Sequence, residues 1–293
     1  MKVIIGIDDT DNLTSKGTGT IASEIRDIIH EKGWGKAEFV SRHQLYLHEK
    51  IQYTSHNSSM IFIADIQDDI YEEMKATLTD YVQQESAEGS DPAICIVKIA
   101  DLKYKKELIS YGYDAKCRVI SQQEAYDLAE KCGIYLRALG GTGDGVVGAL
   151  AGCGLRLGGN DGEIKGGLDR YKAGVAYEVK ILLQEQKITN ICDNKGNAVP
   201  EHDKIIVKWK AKPLIKDGVP TLVVEPSEEV GLWYAMDKKS MRHYGAERAN
   251  ITACKHFAED VIEEQVEGKV KTCMNCTYRR WTKESFTCMK KER

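Results

Sequence analysis

The chain opens on an unbroken apolar run, Val3-Ile4-Ile5-Gly6-Ile7, which predicts a strand covered on both faces. Beyond a polar stretch, Ile21, Ala22, Ile25, Ile28 and Ile29 recur at helical spacing and predict a helix with one apolar face. Further strands are predicted at 37–47, at 59–65 around Met60-Ile61-Phe62-Ile63-Ala64, and at 93–99. Helices are predicted at 70–84, 102–111 and 121–132. The last begins with Ser121 and carries Glu124 three residues on, the pattern of a capping box. Residues 83–91, with Glu85, Ser86, Glu88, Gly89 and Ser90, read as a polar connector. Strands alternating with helices argue for an α/β or α+β domain.

The second half has a different texture. Gly158-Gly159-Asn160-Asp161-Gly162 and Gly166-Gly167 punctuate it, and a helix is predicted at 177–184. Residues 203–212 alternate as a strand, with Ile205, Val207, Trp209 and Ala211 on one face and Lys204, Lys208, Lys210 and Lys212 on the other. Asp217-Gly218 then turns the chain into Thr221-Leu222-Val223-Val224-Glu225, a hairpin signal. Soft boundaries are expected at 158–174 and near Gly245, and no internal repeat is evident.

Composition changes this picture little. The 293 residues suffice for two domains, and 42% hydrophobic with 29% charged residues is ordinary for a soluble enzyme. A net charge of −4 argues against a uniformly basic nucleic-acid binder but not against a local basic patch. No apolar stretch is long enough to span a membrane, so no membrane role is expected. Nine cysteines, with Cys95, Cys117 and Cys153 placed singly in apolar surroundings, read as free thiols in a reducing, cytoplasmic setting.

The chemistry starts at the end of the first strand. Asp8, Asp9 and Asp11 crowd one loop, followed by Gly17-Thr18-Gly19-Thr20 at the expected helix start. Clustered carboxylates repel unless a cation sits among them, and a helix N-terminus favours phosphate. Mg2+ prefers one or two protein carboxylates plus substrate phosphates. An Asp-rich turn that merely caps the helix is the alternative.

A second glycine-rich stretch, Gly140-Gly141-Thr142-Gly143-Asp144-Gly145-Val146-Val147-Gly148, leads into another apolar helix. Close glycines let a backbone approach a ligand and donate N–H groups to phosphate, or permit a tight turn and close helix packing. The loop lacks a Gly-Lys-Ser/Thr and so is not a Walker A loop.

In the tail, Cys273-Met274-Asn275-Cys276 has the spacing of a metal knuckle, with Cys288 further on and Cys254 or His256 as candidates for a fourth zinc ligand. Residues 269–293 carry eight Lys or Arg against Glu284 and Glu292, interleaved with Tyr278, Trp281 and Phe286. Basic groups and aromatics are the ingredients of RNA contact, or of a solvated basic tail.

These residues carry a resemblance. Gly6-Ile7-Asp8-Asp9-Thr10-Asp11 with Thr18 resembles the opening of the archaeal isoleucine-tRNA agmatinylcytidine synthetase family. Residues 42–57, with Ile51-Gln52-Tyr53-Thr54, are similar to its second loop. Gly143 through Ala151 resembles its second glycine-rich helix start, and Cys192-Asp193-Asn194 a later acidic turn. The match covers 1–65 and 140–155 and is patchy to about 240.

The resemblance implies an enzyme that uses ATP and Mg2+ to phosphorylate the C2 oxygen of a tRNA cytidine, which agmatine then displaces. It implies that Asp8, Asp9 and Asp11 hold Mg2+ and orient phosphates, and that Thr18 matches a threonine the family phosphorylates on itself. Thr10, Gly17 and Gly19, with Gly141, Gly143 and Gly145, are the candidate nucleotide-binding positions. Cys273, Cys276 and Cys288 are the candidate zinc ligands.

The expected fold is α+β. A kinase-like α/β catalytic domain spans 1–165, a ferredoxin-like or β-rich domain 166–245, and a helix with a Cys-containing basic tail 246–293. Too few residues follow Gly245 for an OB fold of normal size, so the chain reads as a shorter relative. The expected activity is that of an ATP-dependent, ligase- or kinase-like RNA-modifying enzyme. A related phosphotransferase acting on a small molecule, and a nucleotide- or RNA-binding protein without turnover, are the alternatives. The sequence sets no oligomeric state.

Overall fold

A computed structural model describes residues 1–12, 14–52, 57–168, 170–185, 187–207, 211–236, 257–260, 271–281 and 286–288. The chain divides into two compact units, Met1–Lys165 with Ile215–Gly218, and Gly166–Leu214 with Val219–Arg293. In the first, helices and strands intermingle along the chain.

In the first unit the apolar opening run is strand β1 (Lys2–Asp8), followed by helix α1 (Thr18–Glu31). Short strands β2 (Gly35–Ala37) and β3 (Ser41–Gln44) precede the long β4 (Ser58–Ile66) and helix α2 (Tyr71–Glu85). Then come β5 (Ala93–Lys98), α3 (Lys105–Asp114), α4 (Gln122–Cys132), β6 (Tyr135–Ala138), α5 (Gly145–Gly158) and β7 (Glu163–Ile164). Strand β11 (Leu214–Lys216) joins the same sheet, after β8 (Ala176–Glu178), β9 (Asn190–Asp193) and β10 (Lys204–Ile206) have been formed.

The sheet order is β6-β5-β1-β4-β3-β7-β11, with β2 beside β4. Central β1 runs antiparallel to both neighbours, Ile5 lying opposite Phe62 on β4 and Ile96 on β5. Its side chains alternate between two cores. Val3, Ile5 and Ile7 pack with α1 and α2, while Ile4 packs with Cys95, Val97 and the residues of α3, α4 and α5. A strand buried on both faces explains the continuous apolar run.

Two differences from the pattern-based expectation have local causes. The expected 37–47 strand is broken between β2 and β3, where the Glu38 N–H reaches the Ile63 carbonyl and the Val40 carbonyl instead takes the Lys165 N–H. The expected 177–184 helix is reduced to α6 (Val179–Leu182), because Ala176, Tyr177 and Glu178 are drawn into antiparallel pairing with β10. The capping box at Ser121 is formed as expected, the Glu124 N–H donating to Ser121 Oγ and the Ser121 N–H to Glu124 Oε1.

Helix α5 is the element that positions the site. Eleven of its fourteen residues, Gly145 through Arg156 except Val147, are buried. Glycine and alanine make this possible. A Cβ at Gly152 would press on Ile61 of β4 at 2.5 Å, and one at Gly6 of β1 would sit 2.8 Å from Cys153 Sγ and 2.9 Å from the Ala149 carbonyl. On the other side, a Cβ at Gly154 would overlap the Leu108 carbonyl of α3, and one at Gly112 would meet the Ala151 carbonyl at 2.8 Å. Backbone thus rests on backbone at both faces of the helix.

The second unit is β-rich. Strands β12 (Val219–Pro226) and β13 (Leu232–Ala235) complete a mixed sheet in the order β9-β12-β13-β10-β8. β9 is parallel to β12 and β10 to β13, the other pairs antiparallel. Its core gathers Leu182, Ile191, Ile205, Leu222 and Val224. Among its described residues α6 is the only α-helix, too short to provide the two crossover helices of a ferredoxin-like domain. In the tail, Cys273–Asn275 form a 3-10 turn and β14 (Arg279–Trp281) pairs antiparallel with β15 (Phe286–Cys288). Of the alternating 203–212 segment, Lys208, Trp209 and Lys210 lie outside the described residues.

The α3–α5 contact predicts a sharp cost for one methyl. Gly154→Ala should force the helices apart and lower stability by about 1–3 kcal/mol, as overpacking does. Gly140→Ala, whose Cβ would meet Pro92 at an ordinary 3.5 Å, should leave the melting temperature nearly unchanged. Thermal melting of both variants tests the contrast.

A buried acidic cavity as the candidate functional site

β1 ends at Asp8, and the next residue, Asp9, has a φ of 49°, a left-handed conformation that strains a side-chain-bearing residue and that Asp tolerates better than most. The kink turns both carboxylates toward one cavity of about 210 Å³, lined also by Asp11, Asp144, Thr18 and Gly145. Leu45, Ile51, Val119, Ile120 and Val147 supply apolar wall, and Lys50, Arg118, Gln52, Asn57 and Ser58 polar wall. Asp8 is only 8% exposed and lies against Gly148 in the first turn of α5, where any Cβ would overlap its Oδ2.

The electrostatics are those of a repelling cluster. Burial, then the neighbouring Asp9 charge, pushes the Asp8 carboxyl well above the usual carboxylate range. Asp9 is raised to about 6 by burial and by the charges of Asp91, Asp11 and Asp144. No described lysine or arginine pairs with Asp8 or Asp9. Arg118, at the cavity wall, is already paired with Asp114 and Glu124.

At the start of α1, Gly17 caps without a side chain, so Asp11 substitutes: its Oδ2 accepts the Thr18 N–H at 3.4 Å. The Thr18 hydroxyl accepts the Thr10 N–H at 3.4 Å. The Thr10 hydroxyl itself is buried without a hydrogen-bond partner. Gly19 packs under Lys165, which a Cβ there would reach at 2.8 Å.

The glycine-rich loop has an occupant from within the chain. Asp91 Oδ1 accepts the N–H groups of Thr142 and of Gly143, the latter at 3.2 Å. Gly141 and Gly143 adopt φ of 59° and 89° to make that cradle, and a Cβ at Gly141 would overlap the same carboxylate oxygen. Gly145 and Gly148 line the cavity, while Gly141 and Gly143 do not. Asp91 escapes sequence reasoning because it sits in a polar connector. Only the register placing Ala93 opposite Asp8 brings it to the cluster.

Among the described residues, no group of three His, Cys, Asp or Glu converges closely enough to hold a metal ion alone. A hard cation here would therefore depend on ligand oxygens to complete its shell, as Mg2+ commonly does with phosphates. Two raised, unpaired carboxylates fit that donor set. In the tail, Cys273 and Cys276 are brought together by the 3-10 turn, the Cys276 N–H reaching the Cys273 carbonyl at 3.4 Å. Cys288 ends β15 opposite Arg279, while Cys254 and His256 lie outside the described residues. No described helix is long and apolar enough to cross a membrane.

Comparison with known proteins adds the following. No family model and no curated protein matches the chain. Among solved structures it is similar to apo TiaS, a tRNA agmatidine synthetase, at 23% identity and a TM-score of 0.45, over 53% of this chain and 35% of that one. It is similar to TiaS in complex with tRNA, AMPCPP and agmatine at 22% identity and a TM-score of 0.45, over 52% of this chain and 36% of that one. The complex of TiaS with tRNA and ATP is matched at 21% identity and a TM-score of 0.45, over 69% of this chain and 50% of that one. The chain thus spans between 35% and 50% of the length of these structures.

The cluster gives stability a pH dependence of definite sign. With the Asp9 pKa raised from 3.8 to about 6, the folded state binds more protons than the unfolded state between those values. Stability contributed by this group is therefore present at low pH and lost as pH rises through that window. Asp9→Asn should be more stable than wild type by about 1 kcal/mol at neutral pH, after allowance for its partial exposure, with the gain vanishing near pH 4. Melting curves in chelator at both pH values measure it.

Proposed function

We propose that the chain is an ATP- and Mg2+-dependent phosphoryl-transfer enzyme whose reaction centre is the acidic cavity at the end of β1. What supports this reading is the convergence of Asp8, Asp9, Asp11 and Thr18 on one cavity, with Asp8 and Asp9 paired to no described lysine or arginine. Phosphoryl transfer asks a protein mainly for positioning and charge neutralisation. Asp8, Asp9 and Asp11 would hold Mg2+, which when bound neutralises phosphate charge. Thr18, at the N-terminus of α1, is the candidate hydroxyl to receive a phosphoryl group.

The phosphates are assigned to the α1 side, with Thr10, Gly17 and Gly19 around them. Gly141 and Gly143 have their cradle filled by Asp91 and would act indirectly, by shaping the start of α5. The cavity of about 210 Å³ is smaller than ordinary ligand pockets, which run from about 300 Å³. The base and the acceptor would then lie at its mouth. In the fullest form of the proposal, which follows the motif resemblance, the acceptor is a cytidine-like carbonyl in tRNA and agmatine is the amine. A small-molecule acceptor is the second reading, since among the described residues the cavity has no basic lining beyond Lys50 and Arg118.

ATP turnover measured with and without bulk tRNA separates these readings. Asp8→Asn and Asp9→Asn should each abolish turnover while the protein stays folded. Intact-mass analysis after incubation with ATP and Mg2+ should show one added phosphate that Thr18→Ala lacks. Wild-type turnover in either Asp variant would remove the metal role.

The tail is proposed to bind one zinc through Cys273, Cys276, Cys288 and either Cys254 or His256, and to contact RNA. Truncation after Gly268 should lose the metal and most tRNA affinity yet keep basal ATP hydrolysis. Elemental analysis and salt-dependent tRNA binding check the two parts separately.

A further inference from the structure

A second buried cluster lies behind the cavity wall, outside the proposed reaction centre. His43 on β3 is fully buried, its ring against Gly162, where a Cβ would meet Cε1 at 2.6 Å. Its Nε2 lies 2.9 Å from Ser41 Oγ, which also reaches the Ile61 carbonyl at 3.0 Å. Its Nδ1 lies 2.9 Å from Asp161 Oδ1. The other oxygen of Asp161 accepts the Lys116 ammonium at 2.6 Å, and the same ammonium donates to the Gln44 carbonyl at 2.8 Å. The order Ser, His, Asp suggests a catalytic relay, but Ser41 and His43 are both 0% exposed, so no substrate reaches them.

What the cluster does control is the wall. Lys116 sits in the segment Ala115–Ile120 that lines the cavity, and the Tyr46 N–H donates to the Ala115 carbonyl at 2.8 Å. The Lys116–Asp161 pair therefore clamps that segment to β3. With His43 neutral, the part-buried pair is balanced: one carboxylate, one ammonium. Protonation of His43 adds a second cation that bonds the same carboxylate, with the Arg156 guanidinium of α5 also facing the ring. Arg156 is held by Glu38, and Arg42 on β3 turns to Ser58, so neither brings a spare anion to the ring. Glu163 on β7 lies opposite Arg42 in the register, not opposite His43. Of the two groups that bond Asp161, His43 is 0% exposed and Lys116 has 29% of its side chain exposed, so Lys116 is the one able to leave for water.

We propose that His43 is a proton-operated latch: its protonation displaces Lys116 from Asp161 and loosens the 115–120 wall of the cavity. The linkage sign agrees. Burial, Lys116 and Arg156 lower the ring pKa against the opposing pull of Asp161, so the clamped state binds the proton less tightly than a state with Lys116 released. Acid therefore favours release. The device is independent of whether the cavity transfers phosphate.

Hydrogen–deuterium exchange on the full chain between about pH 5 and 8 tests it, corrected for intrinsic exchange. Protection of the Tyr46 amide and of the 115–120 amides should fall on acidification by about fivefold or more, the lower end of coupling between linked sites. His43→Gln should remove this pH dependence. Asp9→Asn should retain it, which separates the latch from titration within the cavity. Lys116→Met should show low protection at every pH, and serves as the test if His43→Gln does not fold. Flat protection in wild type, or an unchanged pH dependence in His43→Gln or Lys116→Met, overturns the proposal.

Discussion

The close approach of α5 to β1 is the constraint on which the rest of the first unit depends. It places the start of a helix directly against the last residue of a strand buried on both faces. Gly6 and Gly148 remove the atoms that would hold the two apart, and Asp8 fills the space that a Cβ on Gly148 would have taken. A carboxylate so placed is desolvated on one side and repelled by Asp9 on the other. The helix start offsets part of that cost, since its dipole favours negative charge nearby. The same approach makes α5 nearly all apolar and small, because α3 lies equally close on its far side.

Two helix starts meet the cavity, and the chain treats them differently. At α5 the loop N–H groups are committed to Asp91, an anion supplied by the protein itself. At α1 Gly17 brings no side chain, and the Asp11 Oδ2 accepts the Thr18 N–H at 3.4 Å. A glycine-rich loop is therefore not by itself an anion site. Its donors must also be unclaimed, and those of Thr142 and Gly143 are not.

Buried carboxylates in this unit are perturbed in both directions, and neighbours decide which. Asp8 and Asp9 rise because burial is joined by like charges. Asp161 is also buried, yet it falls below the usual range because His43 and Lys116 both bond it. The first pair stores repulsion that a cation can relieve. The second is the fixed point to which a cavity wall is tied. Placing both within one unit gives the cavity a charge-hungry floor and a wall whose hold is itself sensitive to protons.

Much of the local structure was legible from residue pattern alone. The double-faced apolar run of β1, the amphipathic stripe of α1 and the Ser121–Glu124 box of α4 depend on neighbours within a few residues, so their periodicity and capping chemistry were sufficient. The acidic loop stood out as a candidate site for the same reason: Asp8, Asp9 and Asp11 lie within four residues of one another. Tertiary structure decided what adjacency cannot encode. Pairing with β4 and β10 overrode the simple reading of 37–47 and 177–184. The register of β5 carried Asp91 to the cluster, and chain folding joined His43 to Asp161 across 118 residues. Like-charge repulsion and hydrogen bonding act through space, over a few ångströms, so a residue's role in such a site is set by which strands lie side by side and not by its place in the sequence.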